Sequence, residues 1–316
     1  MTLIALLKDK MTNIKRTFIS FSLLFAALFL GIGVSGEMAG YVTEGMRLAV
    51  GTVIPSSFPF MIISDFYVQY GKPENLSIAR LAFTRLMRLP ATAIAPFICG
   101  NVGGFPIGAK MTCDAYQRGE VSKEDAERLL PLCSNPSCAF VVGGVGLGIF
   151  ADIKVGILLL VSLYLSVAVC GFFSRTSRID FQIMNVNIRQ NYSFINSVKS
   201  SGISLIGLIS FISIFSVILG LIKNRVKNAY VFCIISIFLE LTNAVNYLGC
   251  EGSIPRELAM SLSAFSLGFG GLCVAMQSML FTSEHGLNIR KYFRLKLLEG
   301  LLSASFFILL YYIIKI

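Results

Sequence analysis

The sequence predicts an all-α polytopic membrane protein: an inverted-repeat, transporter-like fold with broken helices and re-entrant helical hairpins. Composition is the first reason. Hydrophobic residues make up 55% of the 316 and charged residues only 14%, against about 25% charged in soluble domains. Segmentation is the second. Apolar stretches recur near 18–34, 51–70, 89–100, 136–150, 154–173, 202–222, 229–248, 259–282 and 297–314, and since a span needs roughly 20 residues the shorter ones read as half-helices. The third is the run Cys99-Gly-Asn-Val-Gly-Gly-Phe-Pro-Ile-Gly-Ala-Lys110, which sets four glycines, a proline, an asparagine and a lysine in an apolar region. Unpaired N–H and C=O groups cannot face lipid, so such a break must be buried in protein or line a wet cavity. Broken helices of this kind are where secondary transporters hold substrate.

No hydrophilic stretch is long enough for a separate domain, so 1–316 reads as one membrane domain. Residues 1–36 form an N-terminal transmembrane helix, with a cleaved signal peptide as the alternative, and the repeat halves are 37–173 and 190–316. The excess of 27 Lys and Arg over 17 Asp and Glu sits between apolar segments, where it anchors loops to the lipid bilayer and sets orientation rather than binding nucleic acid. Lys8, Lys10, Lys15 and Arg16 favour a cytoplasmic N-terminus in a bacterial inner membrane. The basic loops on either side of 202–222 conflict with that rule unless the segment is re-entrant. His285 is the only histidine and lies in a basic loop as a solvated residue, which excludes a histidine dyad. The eight cysteines are scattered and read as small apolar residues rather than a zinc site. No nucleotide loop or nucleophile set is present. The expectation is a non-enzyme without a cofactor, with room for a coupling proton or cation and for a homo-oligomer.

Along the chain, Glu37, Gly40, Glu44 and Arg47 share one face of an amphipathic helix. Pro55 and Pro59 then break a span. Pro106 is placed to open a helix that runs through Lys110 and Tyr116 and stops at Gly119. Ser122-Lys-Glu-Asp125 is a capping-box pattern opening a polar helix through Leu130 that belongs in water or headgroups. Asn135 reads as an N-cap with Pro136 at the first helical position. In the second half, Tyr192, Ile195 and Val198 form a stripe before 202–222. Glu240-Leu-Thr-Asn-Ala-Val-Asn246 is an abrupt polar break, and Pro255 restarts a helix. Ser266–Gly271 parallels the glycine run Gly143–Gly148.

The substrate site is expected where helix N-termini at Pro106 and Asn135–Pro136 point inward, each with free N–H groups and about half a positive charge. Lys110 on the first turn adds a cation, and Gly103, Gly104 and Gly108 permit close backbone approach. Asn101, Asn135 and Ser137 complete the polar set on this side. Glu240, with Thr242 and Asn243, is the counterpart in the second half, because an intramembrane carboxylate pairs or works. It either meets Lys110 across the two halves or binds a coupling proton or cation. Gln277 is a further polar contact or a helix–helix hydrogen bond.

Glu44-Gly-Met-Arg-Leu, Ile54-Pro-Ser-Ser-Phe-Pro-Phe60, Gly103-Gly-Phe-Pro-Ile-Gly-Ala-Lys110, Ser122–Leu130 and Gly268-Phe-Gly-Gly271 resemble the YlbJ-type sporulation integral membrane proteins, of the nucleoside-recognition Gate-domain group. The resemblance runs from about residue 15 to the C-terminus. It implies an inverted-repeat domain with helical hairpins, and a part in moving dipicolinic acid, a small aromatic dicarboxylate, from the mother cell toward the forespore. The expected localisation is therefore the mother-cell or outer forespore membrane. The expected function is transport of a small organic anion, dipicolinic acid first, by alternating access at a midplane site. A nucleoside or other metabolite carrier, and a non-transporting scaffold working through helix 122–130, are the alternatives.

Overall fold

The computed structural model describes residues 35–70, 81–175, 194–250 and 252–314. The N-terminal helix, its signal-peptide alternative, the basic residues before it and Tyr192 lie outside the described residues. Every regular element among the described residues is helical. The chain runs through α1 (Ser35–Leu48), α2 (Ile54–Tyr70), α3 (Ile94–Gly103), α4 (Ile107–Gln117), α5 (Lys123–Cys133), α6 (Phe140–Ile149, wound in wide π-type turns), α7 (Ile153–Phe173), α8 (Phe194–Lys223), α9 (Ala229–Leu239), α10 (Leu241–Cys250), α11 (Arg256–Phe269), α12 (Gly271–Thr282) and α13 (Ile289–Ile314).

Four helical stretches among the described residues are long and apolar enough to cross a membrane: α7, α8, α11 with α12, and α13. A fifth is the pair Gly36–Val53 and Ser57–Ile63, bent by 56° beside Pro55, as two prolines in a helical segment require. The protein is a multi-pass membrane protein. Lipid-facing stripes follow helical spacing. On α7, Ile153, Ile157, Val161 and Leu165 are exposed while Val155, Leu158, Leu159, Ser162 and Leu163 are buried. The 30-residue α8 is unbroken and about 45 Å long. It is therefore not re-entrant, and the basic segments flanking it sit at its opposite ends. Ile195 and Val198 belong to α8 itself rather than to a separate amphipathic helix.

The shorter apolar helices double back in two hairpins. Gly100 and Gly108 lie on either side of the α3–α4 break, and a Cβ on Gly100 would come within 2.7 Å of Gly108 Cα. That approach is unattainable across eight residues of straight helix. Phe232 and Tyr247, fifteen residues apart, stack edge to face with centroids 4.7 Å apart, so α9 and α10 fold back likewise.

Helix α5 departs from expectation. Ser122 caps it as predicted, with Oγ accepting from the Asp125 N–H at 3.1 Å. The helix is nevertheless buried rather than bathed in water: Asp125, Glu127 and Arg128 are each at most 6% exposed. The Arg128 guanidinium spends its donors on Met87 O (2.7 Å), Arg88 O (3.2 Å), Ser174 O (2.7 Å) and the Asp125 carboxylate (2.9 Å). Glu127 accepts from the Asn288 N–H at 3.0 Å and pairs with Lys291 at 3.2 Å. Charges absorbed in this way let a polar helix sit inside a membrane protein. His285 likewise differs from the solvated residue expected, since both ring nitrogens are shielded from solvent and have no hydrogen-bond partner among the described residues.

Candidate functional site

Each hairpin tip lies against a break in the helix that follows it. The first tip, Gly104–Pro106, meets the unwound segment 134–137 between α5 and α6. Phe105 N–H donates to Asn135 O at 3.0 Å, and a Cβ on Gly104, whose φ is +81°, would come within 2.7 Å of Ser137 N. The second tip, 237–240, meets the break between α11 and α12, where Gly270 and Gly271 have φ of +80° and +77°. A Cβ on Gly271 would lie 3.2 Å from both Ile237 O and Leu239 O. Only glycine combines such backbone angles with so close an approach.

The caps differ in detail from the sequence reading. Pro106 is the cap of α4 rather than its first helical residue. Ser137 takes the capping role assigned to Asn135, with Oγ accepting from the Phe140 N–H at 3.1 Å. Asn135 faces the other way. It donates to Asn101 Oδ1 at 3.0 Å and accepts from Lys296 Nζ at 2.7 Å, and Lys296 also pairs with Glu299 at 2.9 Å. Asn101 in turn donates to the carbonyls of Phe97 and Leu132. Lys296 and Glu299 are at most 1% exposed. Asn101 and Asn135 thus belong to a buried brace behind the break and do not line the cavity in front of it.

That cavity, of about 10 Å³, is lined by Ser57, Gly104, Ser137, Glu240, Thr242 and Gln277 with an apolar wall that includes Phe105, Phe140 and Ile212. It has room for roughly one water-sized species. Ser57 Oγ and Ser137 Oγ are 3.1 Å apart. Glu240 separates α9 from α10 and caps the latter: its carboxylate accepts from the Thr242 N–H at 2.8 Å, the Asn243 N–H at 2.6 Å and Asn243 Nδ2 at 2.7 Å. The polar break is this one residue, and Thr242, Asn243 and Asn246 lie on α10. Glu240 has no ion-pair partner among the described residues, so the contact with Lys110 is not formed. Lys110 donates to Ser200 on α8 instead.

Larger cavities flank the small one. On one side, a cavity of about 490 Å³ is lined by Pro106, Lys110, Lys199, Ser200, Ser204 and Gln277, among others. On the other, cavities of about 460 Å³ and 530 Å³ meet at Asn246. The first holds Glu44, Lys223 and Asn243, and the second holds Gly143, Gly144, Gly148 and Thr242. Gln277 joins the small cavity to the 490 Å³ vestibule, and Thr242 joins it to the opposite one. Helix α8 orders them in space: residues 196–208 line the first vestibule, Ile212 the small cavity and residues 216–223 the far vestibule.

Of the predicted residues, Gly104, Ser137, Glu240, Thr242 and Gln277 come together at the constriction. Pro106 and Lys110 line the first vestibule, Asn243 the opposite one, and Gly103 ends α3 as a buried residue. The Gly143–Gly148 run divides: Gly146 packs on Gly156, with a Cβ-to-Cα approach of 2.5 Å, while a Cβ on Gly143 would meet nothing within 4 Å. Sequence reasoning passed over Ser57, Lys199, Lys296 and Glu299. Ser57 lay between Pro55 and Pro59, and that spacing was the available signal.

The chain is 24% identical over 337 aligned positions to the sporulation integral membrane protein YlbJ of Bacillus subtilis (strain 168), covering 92% of this chain and 83% of the relative. The chain is similar to YlbJ over nearly its whole length. No protein-family profile and no solved structure matches it. At 92% coverage, the YlbJ-like similarity takes in most of both hairpin units rather than one of them.

Proposed function

We propose that this YlbJ-like chain is a transporter of a small organic anion, with dipicolinic acid during spore formation the first candidate, working by alternating access. One observation carries the reading: two vestibules lie at opposite ends of a membrane-crossing helix and converge on a constriction built from helix breaks. Broken helices that present polar groups at mid-membrane are what repeat-built carriers use to hold cargo. The two tip-on-break units serve as the repeats, with breaks about thirty residues apart in each (104 to 135 and 240 to 270). Two vestibules separated by a small cavity support the reading of a carrier closed at its centre.

Anion selectivity comes from the 490 Å³ vestibule, where Lys110 and Lys199 stand near the N-terminus of α4. Two cations and a helix N-terminus suit a dicarboxylate. A scaffold docking through helix 122–130 fits less well, because most of that helix is buried. The test is direct binding. Purified protein in nanodiscs is titrated with dipicolinate beside Lys110→Ala and Lys199→Ala. Saturable binding weakened at least about tenfold in Lys110→Ala, equivalent to about 1.4 kcal/mol, supports the proposal. Binding of nucleosides in place of dipicolinate overturns the cargo assignment.

A further inference from the structure

The constriction has a chemistry of its own. The polar side chains that line it, Glu240, Ser57, Ser137, Thr242 and Gln277, each carry at least one oxygen. Among the described residues, no lysine, arginine or histidine lines it. Gln277 is 2% exposed, and its Oε1 has no hydrogen-bond partner among the described residues, although its amide nitrogen donates to Cys273 Sγ at 3.3 Å. A buried amide oxygen left without a donor is costly. Glu240 is also 2% exposed. The Glu240 carboxylate accepts from the Thr242 and Asn243 N–H groups and Asn243 Nδ2, and the Thr242 hydroxyl is beside it as well.

We propose that Glu240, Thr242, Ser57, Ser137 and Gln277 form a sodium-ion site at the constriction. The set is hard and neutral apart from one carboxylate, which matches a single positive charge. Calcium calls for 6–8 oxygen ligands and magnesium for near-ideal octahedral geometry that retains several waters. A cavity of about 10 Å³ cannot admit a hydrated ion of either kind. With Glu240 as its one charged lining residue, the closed cavity favours a cation over an anion. Because the ligands come from α2, the segment before α6, the α9–α10 break and α12, a bound ion holds the two hairpin units together at the point where a carrier must open. The ion's role in coupling rests on the transport reading; its binding does not.

The test is a melting titration of the purified protein with sodium chloride, replaced at constant ionic strength by choline or potassium chloride, and run at two pH values. The expected result is a saturable, sodium-specific rise in melting temperature of at least about 3 °C, flattened in both Glu240→Gln and the isosteric Thr242→Val. Two variants are used so that loss of folding in one leaves the other informative. No sodium-specific rise, potassium matching sodium, or a rise retained in both variants overturns the assignment. So does a pH-dependent rise indifferent to sodium, which makes the site one for a proton. A sodium-specific rise in a protein that binds and moves no organic cargo leaves the ion site standing and removes the transport reading.

Discussion

Lys296 Nζ donates to Asn135 Oδ1 across 2.7 Å, fastening the unwound segment between α5 and α6 to the spanning helix α13. The same ammonium pairs with Glu299, whose second oxygen has no hydrogen-bond partner among the described residues. Removing one member of such a pair strands the other charge in the interior at about 3–5 kcal/mol. Lys296→Met is therefore expected to destabilise strongly, and Lys296→Met with Glu299→Leu to recover at least half the loss. A double-mutant cycle by thermal denaturation in detergent checks this; additive losses contradict it.

The first hairpin depends on contact between backbones. A Cβ on Gly108 would overlap the Cys133 carbonyl, and a Cβ on Gly100 would lie 2.5 Å from the same oxygen. Gly108→Ala is expected to cost about 3 kcal/mol or more by overpacking. Gly143→Ala, with nothing within 4 Å of the added carbon, should stay within about 0.5 kcal/mol. Melting temperatures of the two variants give the comparison.

Arg128 binds three carbonyls on two chain segments, Met87 and Arg88 on one and Ser174 on the other, through separate nitrogens. A lysine has one nitrogen and cannot reach all three. Arg128→Lys is expected to lose about 3 kcal/mol by leaving buried carbonyls unpaired, nearly as much as Arg128→Ala. A lysine variant as stable as the parent contradicts the bracing role.

The helix breaks were legible because the residues that break helices are few and local. Gly104 with Pro106, Ser137 beside Asn135, and Gly270 with Gly271 each mark their position through backbone chemistry that needs no knowledge of the rest of the fold. Glu240 was legible as a lone charge after an apolar run. The polar braces were not. Lys296 and Glu299 follow Arg290, Lys291 and Arg294 in a stretch that reads as a basic helix start at the headgroups, and only tertiary packing turns the pair inward. Helix α5 misled for the same reason: Asp125, Glu127 and Arg128 look like a wet surface until their partners on other segments are in place. Lys110 was placed in the correct helix turn, but its partner, Ser200 on α8, is ninety residues away. The glycine run 143–148 parallels Ser266–Gly271 in sequence, yet the unwound segment that meets the first hairpin tip is 134–137.

Ser57 on α2 and Ser137 on the segment before α6 both line the constriction with their hydroxyls 3.1 Å apart, so a disulfide between cysteines at these positions should lock it. The most direct measurement is uptake of labelled dipicolinate into proteoliposomes by wild type and by Ser57→Cys/Ser137→Cys, oxidised and then reduced, with the crosslink verified by mass spectrometry. The account predicts uptake by wild type and by the reduced variant, and at least about a tenfold loss, worth about 1.4 kcal/mol, in the oxidised one. Undiminished uptake through the crosslinked protein, or no uptake of dipicolinate or of nucleosides by wild type, would contradict it.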